Sequence, residues 1–95
     1  MAKILVTKYE NQADATVCEV AYESQADLCW YETPYEQQAQ GDAKWLFVDY
    51  DSQASFKIFK VKYEGQADIK AFQVKYPEQA RWRNAAHKFV GKIGG

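Results

Sequence analysis

Tyr22-Glu23-Ser24-Gln25-Ala26-Asp27 is the stretch of sequence that decides the fold, because close copies of it recur along the whole chain. The six copies begin at Tyr9, Tyr22, Tyr35, Tyr50, Tyr63 and Tyr76. The spacing between these tyrosines is 13, 13, 15, 13 and 13 residues, and the residue after Tyr is acidic in five copies. The pattern indicates a tandem repeat with one two-residue insertion around Gln40-Gly41, which we expect to form a loop or a bulge.

Three residue types are present in every copy. These types are Tyr, Gln and Ala. The residues concerned are Tyr9, Gln12, Ala13, Tyr22, Gln25, Ala26, Tyr35, Gln38, Ala39, Tyr50, Gln53, Ala54, Tyr63, Gln66, Ala67, Tyr76, Gln79 and Ala80. The small alanine suggests a close approach of two chain segments, and the glutamine amide can bond to turn backbone groups buried by that approach. A residue repeated six times is more typical of architecture than of catalysis.

The segments between the copies predict strands. Residues 56–63 and 69–76 are rich in β-branched and aromatic residues with near alternation. The alternation slips once per unit, since Phe56 and Ile58 share one parity while Phe59 and Val61 share the other. The slip suggests a bulge, or a strand that crosses from one packing partner to another. The polar copies themselves are typical of turns.

The C-terminal segment has a different pattern. Trp82, Ala85, Ala86, Phe89, Val90 and Ile93 follow helical spacing, which predicts a short amphipathic helix near residues 80–89. The glycines that follow it predict a frayed C-terminus.

The composition indicates one folded domain over residues 1–95. A chain of 95 residues with 47 % hydrophobic and 16 % aromatic residues has enough apolar surface for one core but not for two. The N-terminal apolar run is too short for a signal peptide, and no stretch is long enough to span a membrane. We therefore expect a soluble, cytoplasmic protein.

The run of Tyr-Glu-x-Gln-Ala-Asp copies followed by Ala80-Arg81-Trp82-Arg83-Asn84 resembles the septoil knot domain family, also called the 7₁ or seven-crossing knot family. The resemblance covers nearly the whole chain. It implies a mainly β, compact monomer whose backbone forms a deep 7₁ torus knot, in a family whose biochemical function is not established. Such a knot winds twice around one axis, so the six units would form two circuits of three.

The two halves of the chain carry opposite charge. Residues 1–55 contain three lysines and ten acidic residues, a net charge of −7, whereas residues 56–95 contain nine basic and three acidic residues, a net charge of +6. Two such circuits lying against each other would attract, although exposed ion pairs contribute only about 0–1 kcal/mol each.

The basic half suggests nucleic-acid binding as one alternative function. Its cations are Lys57, Lys60, Lys62, Lys70, Lys75, Arg81, Arg83, Lys88 and Lys92, interleaved with Phe59, Phe72 and Trp82. Phosphate contacts and base stacking would use these residue types. Lysines at alternating strand positions are also an ordinary solvated face, and the whole chain is slightly acidic, which argues against this function.

The acidic turns suggest calcium, but they lack the glycine-rich spacing that brings oxygen ligands together. The residues concerned are Glu10, Asp14, Glu23, Asp27, Glu36, Asp42, Asp51, Glu64 and Asp68. We expect these side chains to bond to turn backbone, and we expect neither a metal nor another cofactor.

Three other residues are candidates for chemistry. Cys18 and Cys29 occupy different offsets of the repeat, which predicts free thiols with Cys18 in the core and Cys29 exposed and reactive. His87 is the single histidine, and we expect it on the surface. A hydrolase-like enzyme using His87 and nearby carboxylates is the second alternative, although no nucleophile motif, phosphate loop or zinc spacing is present.

Phe47 is the clearest departure from the repeat. Its offset holds Glu19, Glu32, Lys60 and Gln73 in other units, which predicts an exposed Phe47 that could contact a partner. Because the repeated residues all have structural explanations, the sequence favours a non-enzymatic, very stable structural or interaction module with no identified partner.

Overall fold

The computed structural model describes residues 2–94, and its regular structure is almost entirely strand. In chain order the strands are β1 Ala2–Val6, β2 Ala15–Glu19, β3 Leu28–Glu32, β4 Lys44–Phe47, β5 Phe56–Lys60, β6 Ile69–Gln73 and β7 Arg81–Trp82. The prediction of a mainly β fold is therefore confirmed.

Six of these strands close a parallel barrel in the order β4, β1, β5, β2, β6, β3 and back to β4. Every strand from the first half of the chain lies between two strands from the second half. A closed barrel has no unpaired sheet edge, which removes a common route to aggregation. The short β7 pairs antiparallel with β3.

Each strand changes partner along its length. Residues 2–4 of β1 pair with β4, and residues 4–6 pair with β5. In β5 the side chains of Phe56 and Ile58 lie in the core, whereas Phe59 and, just beyond the strand, Val61 are half-buried outside it. The slip in alternation therefore comes from a second apolar row on the outer side of the strand.

Short 3₁₀ turns occupy the crossovers between the strands. They span Glu10–Gln12, Glu23–Gln25, Glu36–Gln38, Asp51–Gln53, Glu64–Gln66 and Pro77–Gln79. In every turn the repeat glutamine donates its backbone N–H to the tyrosine carbonyl, and the repeat alanine donates its N–H to the carbonyl of the residue after Tyr. The side-chain bond to turn backbone predicted for glutamine is not seen at the repeat glutamines within residues 2–94, and Gln38 instead accepts the Thr33 hydroxyl through its Oε1 at 2.9 Å.

The crossovers explain the position of the insertion. Those that follow β1, β2, β4 and β5 each lead past one intervening strand, whereas the crossover from β3 leads to its neighbour β4. Three equal steps of two strands around a six-stranded barrel would return the chain to the place of β1. The shorter step lets the second half enter the gaps left by the first, and it contains Gly41 with a φ of 71°.

The last position of the repeat signature fastens one half of the chain to the other. Asp14 donates its N–H to the Lys57 carbonyl at 2.8 Å, and its Oδ2 accepts the Lys57 N–H at 2.8 Å. The same two-bond clamp joins Asp27 to Lys70 and Asp68 to Thr16. Ser55 makes an equivalent clamp to Lys3 through its hydroxyl. These side chains bond to a neighbouring strand, not to their own turn as predicted.

Ion pairs add little to the pairing of the two halves. Of the four pairs within residues 2–94, Lys3–Glu36 and Lys88–Asp68 each join residues of one half. Lys57–Asp51 joins sequence neighbours across the boundary, and His87–Asp27 is long at 3.7 Å. Backbone bonds and the clamps, more than the opposite net charges, therefore hold the interleaved strands.

The barrel interior is filled by two layers of apolar side chains. The layer at the amino ends of the strands contains Ala2, Ala15, Leu28, Ala43, Phe56 and Ile69, and the next contains Ile4, Val17, Trp30, Trp45, Ile58 and Ala71. All of these side chains are buried. Each layer combines large and small residues, with Phe56 between Ala2 and Ala15 in the first layer and Ala71 beside Trp30 in the second.

The prediction of a helix near residues 80–89 is wrong. Ala80 is extended and β7 follows it, after which Arg83 and Asn84 donate their N–H groups to the Asp27 carbonyl. Residues 84–92 form successive turns closed by bonds between residues three apart. The apolar residues of this segment pack at separate places, with Phe89 against Phe56 and Ile93 in the core, so one straight helix cannot hold them.

The prediction of a frayed C-terminus is also wrong over the described residues, and Gly95 lies outside them. Ile93 is 1 % exposed and belongs to the core cluster that includes Ala2. The Asp42 carboxylate holds the tail: Oδ1 accepts from the N–H of Ile93 at 3.1 Å and of Gly94 at 2.9 Å, and Oδ2 accepts from Gly91 N–H and from the Trp82 indole at 2.8 Å.

The electrostatics of Asp42 follow from these bonds. Burial alone would raise the pKa of this carboxyl, but the four N–H donors outweigh burial and hold the pKa below its ordinary value. The inserted loop therefore has a defined role, which is to fasten the C-terminal tail at the amino end of the barrel.

Candidate functional site at the carboxyl end of the barrel

Because all six barrel strands are parallel, their carboxyl ends meet at one opening. The inward phase of the strands places one more residue per strand there, and around the barrel these are Phe47, Val6, Lys60, Glu19, Gln73 and Glu32. We call these six residues the mouth ring. Five of them are exposed and Phe47 is half-buried, in contrast to the two apolar layers below. In (β/α)₈ barrels, whose strands are also parallel, the active site lies at the carboxyl end of the strands.

The floor of the opening is aromatic. Trp30 and Trp45 stack with their ring centroids 4.6 Å apart, and Phe47 meets both rings edge-on. Trp45 donates its indole N–H to the Asp42 carbonyl at 2.6 Å. The Trp30 indole N–H is buried and makes no hydrogen bond among the described residues. The acceptor that this N–H influences is the Glu19 carboxyl group.

Glu19 lies at the edge of this floor. Although part of the residue is exposed, surrounding protein desolvates its carboxyl group and raises its pKa. The positive charge of Lys60 and the nearby Trp30 N–H act in the opposite direction without offsetting the desolvation. The opening therefore combines a crowded carboxyl group, an ammonium group and a buried indole N–H that interacts with the carboxyl group.

A surface groove of about 480 Å³ adjoins the opening between β6 and β3. It is lined by Tyr31, Glu32, Gln73, Val74 and Lys75, two of which belong to the mouth ring. The groove makes Glu32 and Gln73 accessible from the side as well as from the barrel axis.

Phe47 contradicts its predicted exposure. The side chain is half-buried and packs against Trp30 and Trp45, because its inward phase turns the ring toward the barrel axis. Its role as a partner contact stays a prediction, but the large exposed face on which that prediction depended is absent.

The two cysteines are free thiols, as predicted, and Cys18 is buried as predicted, but the predicted exposure of Cys29 is wrong. Cys29 is 0 % exposed and Cys18 is 3 % exposed. Both lie outside the core cluster, in the outward phase of their strands beneath the crossovers. Burial raises the pKa of both thiols, so Cys29 is not the reactive surface thiol that its offset suggested.

His87 is half-buried, not on the surface as predicted. Its Nδ1 accepts the Phe89 N–H at 3.2 Å, which leaves Nε2 as the donor to the Asp68 carbonyl at 2.8 Å. The ring stacks on Trp82 with centroids 5.0 Å apart, and the Asp27 carboxylate lies 3.7 Å from Nε2. Both ring nitrogens thus serve the docking of the tail.

The basic and acidic candidates are dispersed by the strand order. Lys57 and Lys60 of β5 lie on the opposite side of β2 from Lys70 of β6, and Trp82 is half-buried against the core. No group of three or more His, Cys, Asp or Glu side chains suited to a metal ion is found within residues 2–94. Over the same residues, no helix has the length and apolarity needed to cross a membrane.

The six repeated tyrosines are exposed to solvent. They are between 56 and 68 % exposed, and each precedes a 3₁₀ turn without making a side-chain bond to that turn. Among the repeat alanines, Ala26 and Ala39 are buried and the others are half-buried, which fits a tight turn against the barrel.

The sequence places the residues of the mouth ring at one offset of the repeat, where Phe47 is the exception, but it does not predict that they form a ring. The usable signal was that one inward offset is polar in four units and apolar in two. The strands had to be known as parallel and closed before these six offsets could be placed at one opening.

Comparison with known proteins gives one finding. The model of the 7(1) septoil knot domain family matches residues 1–83, which leaves most of the tail held by Asp42 outside the match. No curated protein and no solved structure matches the chain.

Proposed function

Because the chain belongs to the 7(1) septoil knot domain family, we propose that it is a very stable, non-enzymatic interaction module whose backbone is tied in a deep seven-crossing torus knot. The six tandem units form one domain wound as two circuits. The interleaved strand order supports this winding, since the crossovers that follow β1, β2, β4 and β5 each pass a strand of the other half of the chain. Threaded connections are rare in proteins and slow both folding and unfolding.

One observation carries the interaction role, which is the exposure of six equivalent tyrosines. Their rings contribute neither to the core nor to the turns that they precede. Tyrosine is enriched at protein interfaces because its large ring buries area while its hydroxyl group stays hydrogen-bonded. A repeated array of such rings around a flat body of 32 × 32 × 21 Å offers several equivalent contacts.

The non-enzymatic part of the proposal rests on the saturation of the candidate groups. The nitrogens of His87 are occupied by backbone partners, and the oxygens of Asp42 accept four N–H groups. A catalytic group needs a free lone pair or proton in reach of a substrate.

The knot is tested by pulling the chain from its ends after unfolding. A free chain reaches a contour of about 3.3–3.6 Å per residue. If the chain is knotted, the end-to-end extension of every unfolded molecule is shorter than this contour by the length held in the tightened knot. Extension to the full contour after unfolding would overturn the knot.

The interaction role is tested by affinity capture with the native chain and with a variant carrying Tyr→Ser at all six repeat tyrosines. The matched control is Tyr31→Ser, a tyrosine outside the signature. We expect partners to be lost in the six-fold variant and kept in the control. Equal capture by all three proteins would show that the repeat tyrosines do not mediate the interaction.

The two alternative functions have their own tests. A hydrolysis activity that disappears in His87→Ala while the fold persists would replace the proposal with an enzyme. A mobility shift of nucleic acid at low salt that weakens steeply with added salt would replace it with a nucleic-acid binder.

A further inference from the structure

The same surface groove occurs at equivalent positions of two repeat units. One groove, of about 500 Å³, adjoins Tyr9, and the other, of about 260 Å³, adjoins Tyr76. Each is lined by the four residues before its tyrosine, by the tyrosine itself and by the repeat glutamine. In the second groove, which we call the Tyr76 groove, these residues are Phe72, Gln73, Val74, Lys75, Tyr76 and Gln79. The repeat therefore builds a groove as well as a strand and a turn.

The remaining wall of each groove comes from the other half of the chain. The crossover that follows β2 passes β6 and places its acidic signature residue, Glu23, in the Tyr76 groove. The crossover that follows β4 passes β1 and places the equivalent residue, Asp51, in the Tyr9 groove. Each groove thus combines a tyrosine, a lysine and a glutamine of one unit with the carboxylate of a crossing unit.

The polar groups of the Tyr76 groove are open to solvent. Gln79 is exposed, and within residues 2–94 its side-chain amide makes no hydrogen bond. Glu23 and Lys75 are also exposed, and neither belongs to the four ion pairs of the described residues. Arg83 donates to the backbone carbonyl of Glu23 at 2.9 Å, which holds the turn and leaves the carboxylate accessible. The groove therefore offers both donors and acceptors to a ligand.

These groups fit a neutral sugar ring. The hydroxyl groups of a pyranose both donate and accept, which matches the Gln79 amide, the Glu23 carboxylate and the Lys75 ammonium group. Its C–H face is apolar and can pack on an exposed aromatic ring such as that of Tyr76. One carboxylate and one ammonium group leave the lining without net charge, so it selects neither an anion nor a cation. The volume of about 260 Å³ is below the roughly 300–1,000 Å³ of pockets for drug-sized molecules, which suits a single ring.

We propose that the Tyr76 groove binds one neutral pyranose residue of a glycan. The sugar ring stacks on Tyr76, and its hydroxyl groups bond to Gln79, Glu23 and Lys75. This inference rests on the proposed interaction role of the exposed tyrosines, and it names a glycan as their partner.

The Tyr9 groove binds the same sugar more weakly. Its carboxylate, Asp51, is already paired with Lys57 at 2.5 Å, so a hydroxyl group of the sugar must compete with an ammonium group for it. The two grooves therefore serve as internal references for each other in one experiment.

The test follows the side-chain NH₂ signals of Gln79 and Gln12 by NMR in the ¹⁵N-labelled full chain. The probes are the methyl glycosides of glucose, galactose, mannose and N-acetylglucosamine, whose blocked anomeric oxygen imitates a residue linked in a glycan. We expect at least one of them to move the Gln79 signals saturably with a Kd of about 1 mM, which a ligand of this size can reach. The Gln12 signals should respond with a several-fold weaker Kd. Tetrahydropyran, the same ring without hydroxyl groups, should not bind, and the disaccharide of the responding sugar should bind at least as tightly as its methyl glycoside.

The variants locate the contacts, with binding measured at the backbone amide of residue 76. Tyr76→Ser should abolish binding, whereas Tyr76→Phe keeps the ring and should retain most of the affinity. Gln79→Ala should weaken binding about five- to tenfold, because one hydrogen bond is lost. Gln37→Ala, which changes an exposed glutamine outside both grooves, is the matched control and should bind as the native chain does. All three side chains are exposed, so the variants keep the fold, and the amide spectrum reports it.

Three results would overturn the proposal. They are Gln79 signals that respond to none of the four glycosides up to about 50 mM, well above the expected Kd, an equal response to tetrahydropyran, and a Gln79→Ala variant that binds as tightly as Gln37→Ala. A proline-rich peptide that moves the Gln79 signals when no glycoside does would assign the groove to a peptide instead.

Failure of this inference is distinct from failure of the proposed interaction role. If tyrosine-dependent capture persists after the glycans of the lysate are removed enzymatically, the glycan is wrong and the interaction role stands. The interaction role itself fails only if the six-fold tyrosine variant captures the same partners as the native chain.

Discussion

Replacing Asp42 with alanine removes the acceptor of four N–H groups that hold the C-terminal tail. The donors at Ile93 and Gly94 are partly buried, and a hydrogen bond to a charged group contributes about 1.5–3 kcal/mol. Because Asp42 is only half-buried, the lower part of this range, about 1.5–2 kcal/mol, applies to each bond. Losing these two bonds weakens the docking of the tail by about 3–4 kcal/mol, with smaller additions from Gly91 and Trp82. The barrel itself stays closed, because its strands do not depend on Asp42.

Amide hydrogen exchange measures this loss directly, since the docked tail protects its own N–H groups. At about 1.4 kcal/mol per tenfold change, exchange at Ile93 and Gly94 should accelerate on the order of 10²–10³-fold in Asp42→Ala. The amides of Val17 and Ile58, in the barrel core, should exchange at nearly the native rate. Asp49→Ala is the matched control, because this exposed aspartate lies near Asp42 in sequence and holds nothing in place.

The same contact gives a pH dependence whose sign is fixed. The folded pKa of Asp42 lies below its ordinary value of 3.8, so the stabilisation is present above that value and is lost as the pH falls through the folded pKa. Acid should therefore release the tail in the native chain and have no added effect on the tail of Asp42→Ala. Unchanged exchange at Ile93 in Asp42→Ala at neutral pH would refute the reasoning.

Three further predictions concern packing. Gly94→Ala should release the tail, because a Cβ at this position would meet the Gly41 carbonyl oxygen at 1.8 Å. In the control Gly65→Ala the added Cβ has no atom within 4 Å, so the free energy of unfolding measured by denaturant titration should change by less than about 1 kcal/mol. Equal effects of the two variants would contradict the close approach of Gly94 to Gly41. Phe47→Ala should cost about 2–3 kcal/mol in the same titration, since the ring packs on two tryptophans, and a neutral result would restore the exposed aromatic. Cys18 and Cys29 should both react slowly with iodoacetamide in the native state and rapidly in denaturant, because burial raises the pKa of each thiol; rapid native labelling of Cys29 alone would contradict its burial.

The repeat signature was sufficient to predict strands and turns, because local chemistry determines both. Ile58 and Ile69 lie in strands with period-two burial, and the polar copies between the strands form turns in every unit. Prediction failed where a residue's surroundings came from the other half of the chain. Cys29 shares its offset with three lysines, yet it is buried at 0 % exposure, because a crossover and β7 cover this part of β3.

The tail and the site needed the tertiary structure for a different reason. Trp82, Phe89 and Val90 have helical spacing, but Ile93 must reach the core and Trp82 must reach Asp42, and these contacts override the local preference. The mouth ring joins residues up to 67 positions apart, from Val6 to Gln73, and only the closed strand order brings them to one opening. A pattern along the chain has no information on which strands become neighbours.

The interleaving of the two halves is the claim on which the barrel, the mouth ring and the knot all depend. Amide-to-amide and Hα-to-amide NOEs around Val17 test it most directly, because Val17 is paired with Lys60 of β5 on one side and with Ile69 of β6 on the other. The account predicts NOEs from Val17 to both second-half strands. NOEs that connect β2 instead to β1 and β3, its neighbours in sequence, would contradict it.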